Sequence, residues 1–420
     1  MTVSPTLAVN EEIARRRAAG LATVALGFGE ASIPVHPALL TALSENAGTA
    51  SYGPVAGVPE LRAAAAGYWD RRRLPTEPDQ VVAGPGSKPL LYALLRAMGG
   101  PVALPRPSWV SYAAQASLLG VTAPMIATAP GHGGVPDPVL LEERARLAAA
   151  AGAPLAAVLV TLPDNPTGTV AGPGVVRALV DVAARHDLII ISDEIYRDLV
   201  HGDDLPLVSP ADVAPERTIV TTGLSKSLAL GGWRIGVARF PSSDRGDAIK
   251  ADVLVSASEI WSAPAQPVQH AAAWAFSEPA ELRERIDQSR TLHGRVARSV
   301  AERFTSAGAV MAPAAAGFYL YPTFDDCRAA LRERWAIETS DDLARVLLEE
   351  LGVATLPGTA FGDDPHTLSL RVATPMLYGT SERQREAALA SASPASLPWI
   401  AESLAILDGA LTSLTGRHLV

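Results

Sequence analysis

Three almost wholly apolar segments constrain the fold of this chain more than any other feature. They span residues 155–162, 188–191 and 219–220. Strands without alternation of polar and apolar residues are buried on both faces, which is typical of a parallel sheet covered by helices. Helical sequence lies between these segments, for example at 174–186. The alternation of strands and helices predicts a doubly wound α/β domain.

Polar residues follow each of the three predicted strands. Asn165 follows the first, Asp193 and Tyr196 follow the second, and Ser225 and Lys226 follow the third. Ligands of open α/β sheets bind beyond the carboxyl ends of the strands. The sequence therefore predicts that an amide, a carboxylate, a phenol and an amine meet at one edge of the sheet.

Lys226 is one of only three lysines in the chain, with Lys88 and Lys250. It lies in a loop of small residues between two apolar segments, and Arg234 follows eight residues later. A buried lysine is costly unless it has a partner or loses its charge, and an imine with an aldehyde does both. Lys226 is therefore a candidate Schiff-base lysine. The alternative is a solvated lysine in a surface loop.

The segment 81–90 is predicted to be a strand, a glycine turn and the start of a helix. Ser87 is a plausible N-cap, and Pro89 fits the first helical turn. Free backbone N–H groups at such a terminus bind anions, and the glycines allow a phosphate to approach. The segment matches neither a Walker loop nor a Rossmann fingerprint. A capped helix without a ligand is the alternative.

Length and composition exclude several classes of protein. A chain of 420 residues is expected to form two domains. The net charge of −9 argues against a nucleic acid or an anionic membrane as partner. The single cysteine, Cys327, excludes internal disulfides and a multi-cysteine zinc site. We find neither a signal-peptide pattern nor an apolar window long enough to span a membrane, so a cytoplasmic protein is expected.

Several motifs occur together in an order that is typical of one enzyme family. They are Asn165-Pro-Thr-Gly168, Asp193-Glu-Ile-Tyr196, Ser225-Lys226 with Gly232-Trp233-Arg234, and a Gly/Pro loop that begins at Tyr52. Together they resemble the class I/II aminotransferases, which are pyridoxal-phosphate enzymes of fold type I. The resemblance covers about residues 25–375. It implies a mostly parallel seven-stranded sheet sandwiched by helices, with a smaller α+β domain built from both termini.

The resemblance also implies boundaries for the two domains. The large cofactor-binding domain is expected over residues 46–300. The small domain is expected to combine residues 1–45 with 301–420. A single long helix, predicted over 279–307, is long enough to link the two.

The resemblance assigns a role in binding pyridoxal 5′-phosphate to each polar residue of the predicted site. Lys226 would form the Schiff base, and Asp193 would keep the ring nitrogen protonated. Asn165 and Tyr196 would bond the ring 3-oxygen, and Trp109 would stack on the ring. The phosphate would be held by Ser87, Ser225, Arg234, the backbone N–H groups of Gly86 and Lys88 and, from the neighbouring subunit, Tyr52. The role of Tyr52 implies a homodimer with shared active sites.

Substrate binding is implied for a further set of residues. Arg371 lies between apolar residues and matches the clamp for the substrate α-carboxylate, although an internal salt bridge is the alternative. Gly29, Asn165 and Trp109 would complete the substrate site. The family usually has Pro-Asp-Phe where this chain has Ala31-Ser32-Ile33.

A second departure concerns the substrate side chain. Dicarboxylate-specific relatives carry an arginine in the segment that here spans 256–264, where this chain has Glu259 and Trp261. These two residues belong either to a helix edge at the dimer interface or, for Glu259, to the binding of a cationic or polar side chain.

The predicted activity is transfer of an amino group between an L-amino acid and a 2-oxo acid. The alternative is a non-transaminating enzyme of the same fold, which eliminates or replaces a group at Cβ or Cγ, including on S-adenosylmethionine, or deaminates oxidatively. A remote alternative is a cofactor-binding regulatory module. The 25 residues before the resemblance are too few for a DNA-binding domain, and the chain is acidic.

Overall fold

The computed structural model describes residues 5–202 and 205–417. These residues form the strands β1 (Val24–Ala25), β2 (Val81–Gly84), β3 (Val102–Arg106), β4 (Met125–Ala127), β5 (Ala157–Thr161), β6 (Ile189–Asp193), β7 (Thr218–Gly223), β8 (Gly236–Arg239), β9 (Tyr319–Leu320), β10 (Val353–Ala354), β11 (Leu356–Pro357) and β12 (Leu370–Ala373).

The helices are α1 (Pro5–Ala18), α2 (Pro37–Glu45), α3 (Pro59–Asp70), α4 (Ser87–Ala97), α5 (Val110–Leu119), α6 (Pro138–Ala150), α7 (Pro173–Arg185), α8 (Pro210–Val213), α9 (Asp244–Ile260), α10 (Gln266–Phe276), α11 (Ala280–Ser306), α12 (Arg328–Trp335), α13 (Ser340–Glu349), α14 (Glu382–Ala390) and α15 (Pro398–Thr415).

Seven strands form the main sheet, in the order β2-β8-β7-β6-β5-β3-β4. Only β8 runs against the others, because it pairs antiparallel with both β2 and β7. The predicted strands β5, β6 and β7 are adjacent, parallel and wholly buried. The prediction of a mostly parallel seven-stranded sheet is confirmed.

Helices cover both faces of this sheet. Along β5, Leu159 packs into a core with Leu91 and Leu94 of α4, whereas Val158 and Val160 pack into a second core with helix α7 on the other face. This double burial explains why the strand sequences show no alternation.

Two smaller sheets contain segments from both ends of the chain. One pairs β1 with β10 in parallel, and the other has the antiparallel order β11-β12-β9. Their shared core combines Val24 and Leu26 with Val353 and Leu414. Helix α11 confirms the predicted long helix, and its 27 residues span roughly 40 Å.

No helix in the described part of the chain is both long enough and apolar enough to cross a membrane.

Candidate active site

A cavity of about 490 Å³ lies at the carboxyl ends of β5, β6 and β7. Most of the residues predicted from sequence contribute to its wall. These are Gly29, Ser87, Lys88, Trp109, Asn165, Asp193, Tyr196, Ser225, Lys226, Arg234 and Arg371. The cavity therefore brings together residues from the main sheet, from the N-terminal segment and from β12.

Asp193 forms the floor of the cavity at the end of β6. The Tyr112 hydroxyl donates to its Oδ2 at 2.8 Å, and the Thr221 hydroxyl donates to its Oδ1 at 3.3 Å. Both partners are neutral, and the side chain is buried, so desolvation raises the pKa of Asp193 to about 6. A cationic ligand group beside this carboxylate would stabilise its ionised form.

Strand register explains how the floor is assembled. Asp193 pairs with Thr161 of β5 on one side and with Thr221 of β7 on the other. The Tyr112 hydroxyl also lies 3.0 Å from the Thr161 hydroxyl. Tyr112, Thr161 and Thr221 were not among the predicted site residues, although both threonines are signalled by their position beside Asp193 in neighbouring strands.

Lys226 lies in the loop between β7 and β8 and is half-buried. Its Nζ donates to the Gly29 carbonyl at 2.6 Å and lies 5.7 Å from the ring centres of Tyr196 and Phe318. The amine lines the cavity instead of extending into solvent. This position does not fit the alternative of a solvated surface lysine.

An anion-binding corner forms at the start of α4. Gly86 is the N-cap with a φ of 91°, and the helix begins at Ser87. The prediction of Ser87 as N-cap is therefore wrong by one residue, because the left-handed backbone at the cap favours glycine. A Cβ on Gly86 would lie 2.4 Å from Nη2 of Arg234, so a side chain at this position would displace the guanidinium. Gly86 itself lies behind the cavity wall.

Asn165 and Tyr196 also line the cavity. The Asn165 side chain is buried, and its Oδ1 has no hydrogen-bond partner within the described part of the chain. The Tyr196 hydroxyl lies 2.9 Å from the Tyr319 hydroxyl, and burial raises the pKa of Tyr196 well above 10. Both side chains therefore offer neutral polar groups to a ligand.

Arg371 lies on β12, outside the main sheet, and lines the same cavity as Asp193. Its Nη2 donates to the Gly27 carbonyl at 2.5 Å, while its Nε is buried and lacks a hydrogen-bond partner among residues 5–202 and 205–417. Its Cζ lies about 5 Å from the ring centres of Tyr319 and Phe361. Burial lowers the pKa of Arg371. Its observed partner is a carbonyl, so the internal salt bridge is not what we find.

Trp109 is the N-cap of α5 and packs edge-on against Tyr112, with ring centres 5.2 Å apart. The Nζ of Lys88 lies 5.0 Å from the centre of the Trp109 ring. Burial, followed by repulsion from Arg234 and Lys226, lowers the pKa of Lys88. The side chain of Lys88 thus adds a cation to the cavity, whereas the sequence had suggested only its backbone N–H.

Other residues singled out from the sequence lie outside the cavity of their own chain. Tyr52 is 96% exposed on the loop before α3. Ala31, Ser32 and Ile33 are all buried and do not line the cavity, so the unusual sequence at this point faces the protein interior. Glu259 is exposed near the end of α9.

The cavity fits the cofactor that the sequence resemblance implies. The phosphate of pyridoxal 5′-phosphate matches the anion-binding corner at Gly86 and Arg234. The basic ring nitrogen of the cofactor matches the buried carboxylate of Asp193. The partnerless amide oxygen of Asn165 marks a polar position on the wall. The amine of Lys226 faces the same space.

Comparison with known proteins agrees with this geometry. Residues 22–388 match the family model of aminotransferase class I and II. The aspartate/prephenate aminotransferase of Thermus thermophilus is 33% identical over 93% of this chain and 95% of that protein. The aspartate aminotransferase of Geobacillus stearothermophilus is 32% identical over 89% of this chain and 93% of its own.

Solved structures lead to the same family. The aspartate aminotransferase of Thermus thermophilus with maleate superposes with a TM-score of 0.78 at 30% identity, over 93% of this chain and 96% of that one. The predicted fold type, cofactor and enzyme class are therefore confirmed. This chain belongs to the class I and II aminotransferases, enzymes that use pyridoxal 5′-phosphate to transfer amino groups.

Proposed function

We propose that Asp193, Lys226 and Arg371 are the central residues of an aminotransferase site that accepts an acidic substrate. The observation that carries this proposal is that a buried carboxylate, an amine and a buried guanidinium face one cavity from three parts of the chain. The carboxylate would hold the cofactor, the guanidinium would hold the substrate, and the amine would act between them.

Asp193 holds the ring nitrogen of the cofactor in this proposal. A buried carboxylate with neutral partners gains stability from a neighbouring cation, and a protonated pyridine nitrogen is one. Tyr112 and Thr221 orient the carboxylate toward the cavity. When bound, the cofactor supplies an electron sink for the bond that breaks at the substrate Cα.

Lys226 moves the proton. Its Nζ, when neutral and not bonded to another group, is the general base that takes the proton from the substrate Cα and later returns a proton as general acid. The Gly29 carbonyl, which accepts from Nζ at 2.6 Å, keeps the amine at the cavity wall.

The remaining cofactor contacts are polar and mostly neutral. Asn165 and Tyr196 bond the ring 3-oxygen, and Trp109 stacks on the ring. The phosphate is held by Ser87, Lys88, Ser225 and Arg234, whereas the backbone N–H of Gly86 already donates to the Gly84 carbonyl at 2.7 Å. Support comes from the free N–H groups at the start of α4 and from the adjacent guanidinium.

Arg371 binds the α-carboxylate of the substrate. A guanidinium presents a rigid fork of donors that matches a carboxylate, and Arg371 still has a buried Nε without a partner in the described structure. Gly29, Asn165 and Trp109 complete the substrate site. Binding of a carboxylate would satisfy the donor and offset the cost of burying the charge.

The substrate side chain is acidic in this proposal, and Lys88 is its partner. Of the charged side chains that line the cavity, only Glu30 and Lys88 have no side-chain role above. Both side chains are exposed, but only Lys88 is a cation, and it lies 5.0 Å from the Trp109 ring centre and is repelled by Arg234 and Lys226. A carboxylate would relieve this repulsion, and several of the relatives are named as aspartate aminotransferases.

The active unit is a homodimer with shared sites in this proposal. Tyr52, a large aromatic residue, is 96% exposed, although the Ser51 carbonyl beside it accepts from Gln266 Nε2 at 3.0 Å. An aromatic side chain on an anchored loop is suited to a partner subunit. Val255 and Ile260 of α9 are also more than half exposed.

Mixing two inactive variants tests the shared site. A dimer of one Lys226→Ala chain and one Tyr52→Ala chain keeps one site with both residues intact. If both parents are inactive, random mixing should restore about a quarter of wild-type activity, because half of the dimers are hybrids with one intact site of two. Recovery of no activity, with hybrids confirmed by mass, would contradict the shared site.

We also propose the domain boundaries given above, with residues 46–300 as the large domain and 1–45 with 301–420 as the small domain. Support comes from the main sheet, whose strands all lie between 81 and 239. Support also comes from the core that joins Val24 to Leu414.

Product analysis tests the proposed reaction against its alternatives. With glutamate or aspartate as donor, a transaminase forms product only when a 2-oxo acid acceptor is present. Formation of ammonia or a Cβ or Cγ elimination product without an acceptor would favour the non-transaminating alternative. A faster reaction of arginine than of glutamate would instead favour the interpretation in which Glu259 binds a cationic side chain.

A further inference from the structure

Tyr319 is a buried phenol at the start of β9 that sequence analysis did not assign to the site. Its side chain lines the cavity, although the residue is only 1% exposed. The hydroxyl lies 2.9 Å from the hydroxyl of Tyr196 and 3.3 Å from the carbonyl oxygen of Gly29. It therefore connects the phenol proposed to bond the ring oxygen with the carbonyl that holds Lys226.

The Gly29 carbonyl is shared between two donors. Lys226 Nζ lies 2.6 Å from this oxygen, a shorter contact than that of the Tyr319 hydroxyl. The close approach depends on glycine, because a Cβ at residue 29 would lie 2.3 Å from the Tyr319 oxygen. Lys226 and Tyr319 thus reach the same acceptor, and a carbonyl that already accepts from an amine at 2.6 Å is a weaker acceptor for a second donor.

The hydroxyls of Tyr196 and Tyr319 and the Gly29 carbonyl form one chain of hydrogen bonds in which only the two phenols carry a proton to donate. A phenol has one proton to donate, whereas a carbonyl only accepts. With Lys226 on the Gly29 carbonyl, the better acceptor for Tyr319 is Tyr196, and the proton of Tyr196 is then free to point at a ligand. When Lys226 leaves, the half-buried Gly29 carbonyl loses its closer donor, and the Tyr319 hydroxyl is within reach. Tyr319 must then accept from Tyr196, which turns the Tyr196 proton away from the ligand.

The backbone around Tyr319 is fixed, so that only the hydroxyl proton needs to move. Residue 319 pairs with Ala373 in β12. A Cβ on Gly168, in the turn that carries Asn165, would lie 2.1 Å from the Tyr319 carbonyl. The Tyr319 ring is also packed against Phe318, with centres 4.7 Å apart. Reorientation of the proton therefore requires no rearrangement of the chain.

We propose that Tyr319 is a positioning residue that sets the direction of the Tyr196 hydroxyl according to whether Lys226 occupies the Gly29 carbonyl. This inference rests on the proposed function, because Tyr196 must face the ring oxygen of the cofactor. While Lys226 is a free amine bonded to the Gly29 carbonyl, Tyr319 directs the Tyr196 hydroxyl proton toward the ring oxygen. When Lys226 moves away, this hydrogen bond to the ring oxygen becomes weaker.

The test uses 4′-deoxypyridoxine 5′-phosphate, a cofactor analogue that lacks the aldehyde oxygen and so leaves Lys226 free. The readout is the pH midpoint at which the ring oxygen of the bound analogue ionises, followed by ultraviolet absorbance. Tyr196→Phe should raise this midpoint by about one unit, because a donor to the ionised oxygen is lost. Tyr319→Phe should raise it by about 0.5 unit, because the donor is then less polarised. An unchanged or lowered midpoint in Tyr319→Phe would overturn the inference.

Coupling to Lys226 is tested by a double-mutant cycle. In Lys226→Ala, Tyr319 donates to Gly29, so adding Tyr319→Phe should not raise the midpoint further. Additive shifts would overturn the inference.

Tyr321→Phe is the matched control. The Tyr321 hydroxyl donates to Asp363 at 3.0 Å and does not line the cavity, so its removal should leave the midpoint unchanged. If the wild type binds the analogue but the midpoint of Tyr319→Phe equals that of Tyr321→Phe, the role of Tyr319 is wrong and the proposed function stands. If the wild type does not bind the analogue, the proposed function fails, and the inference falls with it.

Discussion

Two parts of the cavity wall are built in different ways: the floor at Asp193 and the part at Arg371, which we call the arginine end. The floor, made of Asp193 with Tyr112, Thr161 and Thr221, comes mainly from the ends of three parallel strands that are neighbours in the sheet. The arginine end, made of Arg371 with the Gly27 carbonyl, joins residues 344 positions apart in the chain. The floor follows from local strand order, whereas the arginine end depends on how two sheets and the N-terminal segment pack.

The hydrogen bonding of the charged groups also differs between the floor and the arginine end. At the floor the carboxylate is hydrogen-bonded on both oxygens. At the arginine end the guanidinium has a carbonyl partner and a buried Nε without one in the described part of the structure. The floor is therefore complete before substrate arrives, while the arginine end still has a donor to satisfy. This difference suits a resident cofactor at one end and an exchanging substrate at the other.

The largest expected effect comes from removing the residue that acts between the two ends. Lys226→Ala should lower amino transfer by about 10⁴-fold, because the group that moves the Cα proton is lost. Single-turnover rates with glutamate provide the measurement. Lys250→Ala is the control, since Lys250 bonds Asp247 at 2.9 Å on the surface of α9. A Lys226→Ala enzyme as fast as this control would contradict the assigned role.

The raised pKa of Asp193 should make the free energy of unfolding depend on pH. Without cofactor, folded Asp193 keeps its proton up to about pH 6, whereas the unfolded chain releases it near 3.8. The folded state therefore binds more protons between these values, and stability falls by about 3 kcal/mol as the pH rises through the window. Asp193→Asn should remove this contribution. Urea unfolding at pH 4 and pH 8 measures it, and equal pH dependence in both proteins would contradict it.

Asp164 is an internal control for that experiment. Burial raises its pKa to about 7, and its Oδ2 accepts from the backbone and hydroxyl of Thr167, within its own turn. It contributes a pH dependence of the same sign that Asp193→Asn should leave in place. Addition of pyridoxal 5′-phosphate should reduce the contribution of Asp193 to the pH dependence of unfolding and leave the contribution of Asp164 unchanged.

The arginine end should respond through substrate binding. Arg371→Lys keeps a positive charge and loses the forked geometry, so kcat/KM should fall by about 10- to 100-fold while cofactor affinity is retained. Arg239→Lys is the control, because Arg239 is also buried and bonds the Pro215 carbonyl at 2.9 Å outside the cavity. If Arg371→Lys lowers cofactor affinity as much as it lowers kcat/KM, Arg371 is not specific for the substrate, and this prediction is contradicted.

The smallest expected effect concerns the substrate side chain. Lys88→Ala should lower kcat/KM for aspartate relative to phenylalanine by about 10-fold, since a cation is lost from the cavity wall. Competition between the two amino acids in one reaction measures the ratio. An unchanged ratio would assign recognition of the acidic group to another residue.

The floor was largely predictable from sequence, and the arginine end was predictable only in part. Asp193 follows an apolar strand, so its burial and position were evident from the strand pattern. Its hydrogen bond from Tyr112 was not, because strand patterns do not show where α5 directs its side chains. Tyr319 was missed because its contact with Gly29 joins segments 290 residues apart.

The central claim is that a single pyridoxal 5′-phosphate lies between Asp193 and Lys226. The chain has only three lysines, Lys88, Lys226 and Lys250, so the attachment point can be read without ambiguity. Borohydride reduction of the cofactor-loaded enzyme, followed by peptide mass mapping, should find the cofactor on the peptide that contains Lys226 and on no other. Attachment to Lys88 or Lys250, or no attachment, would contradict the account.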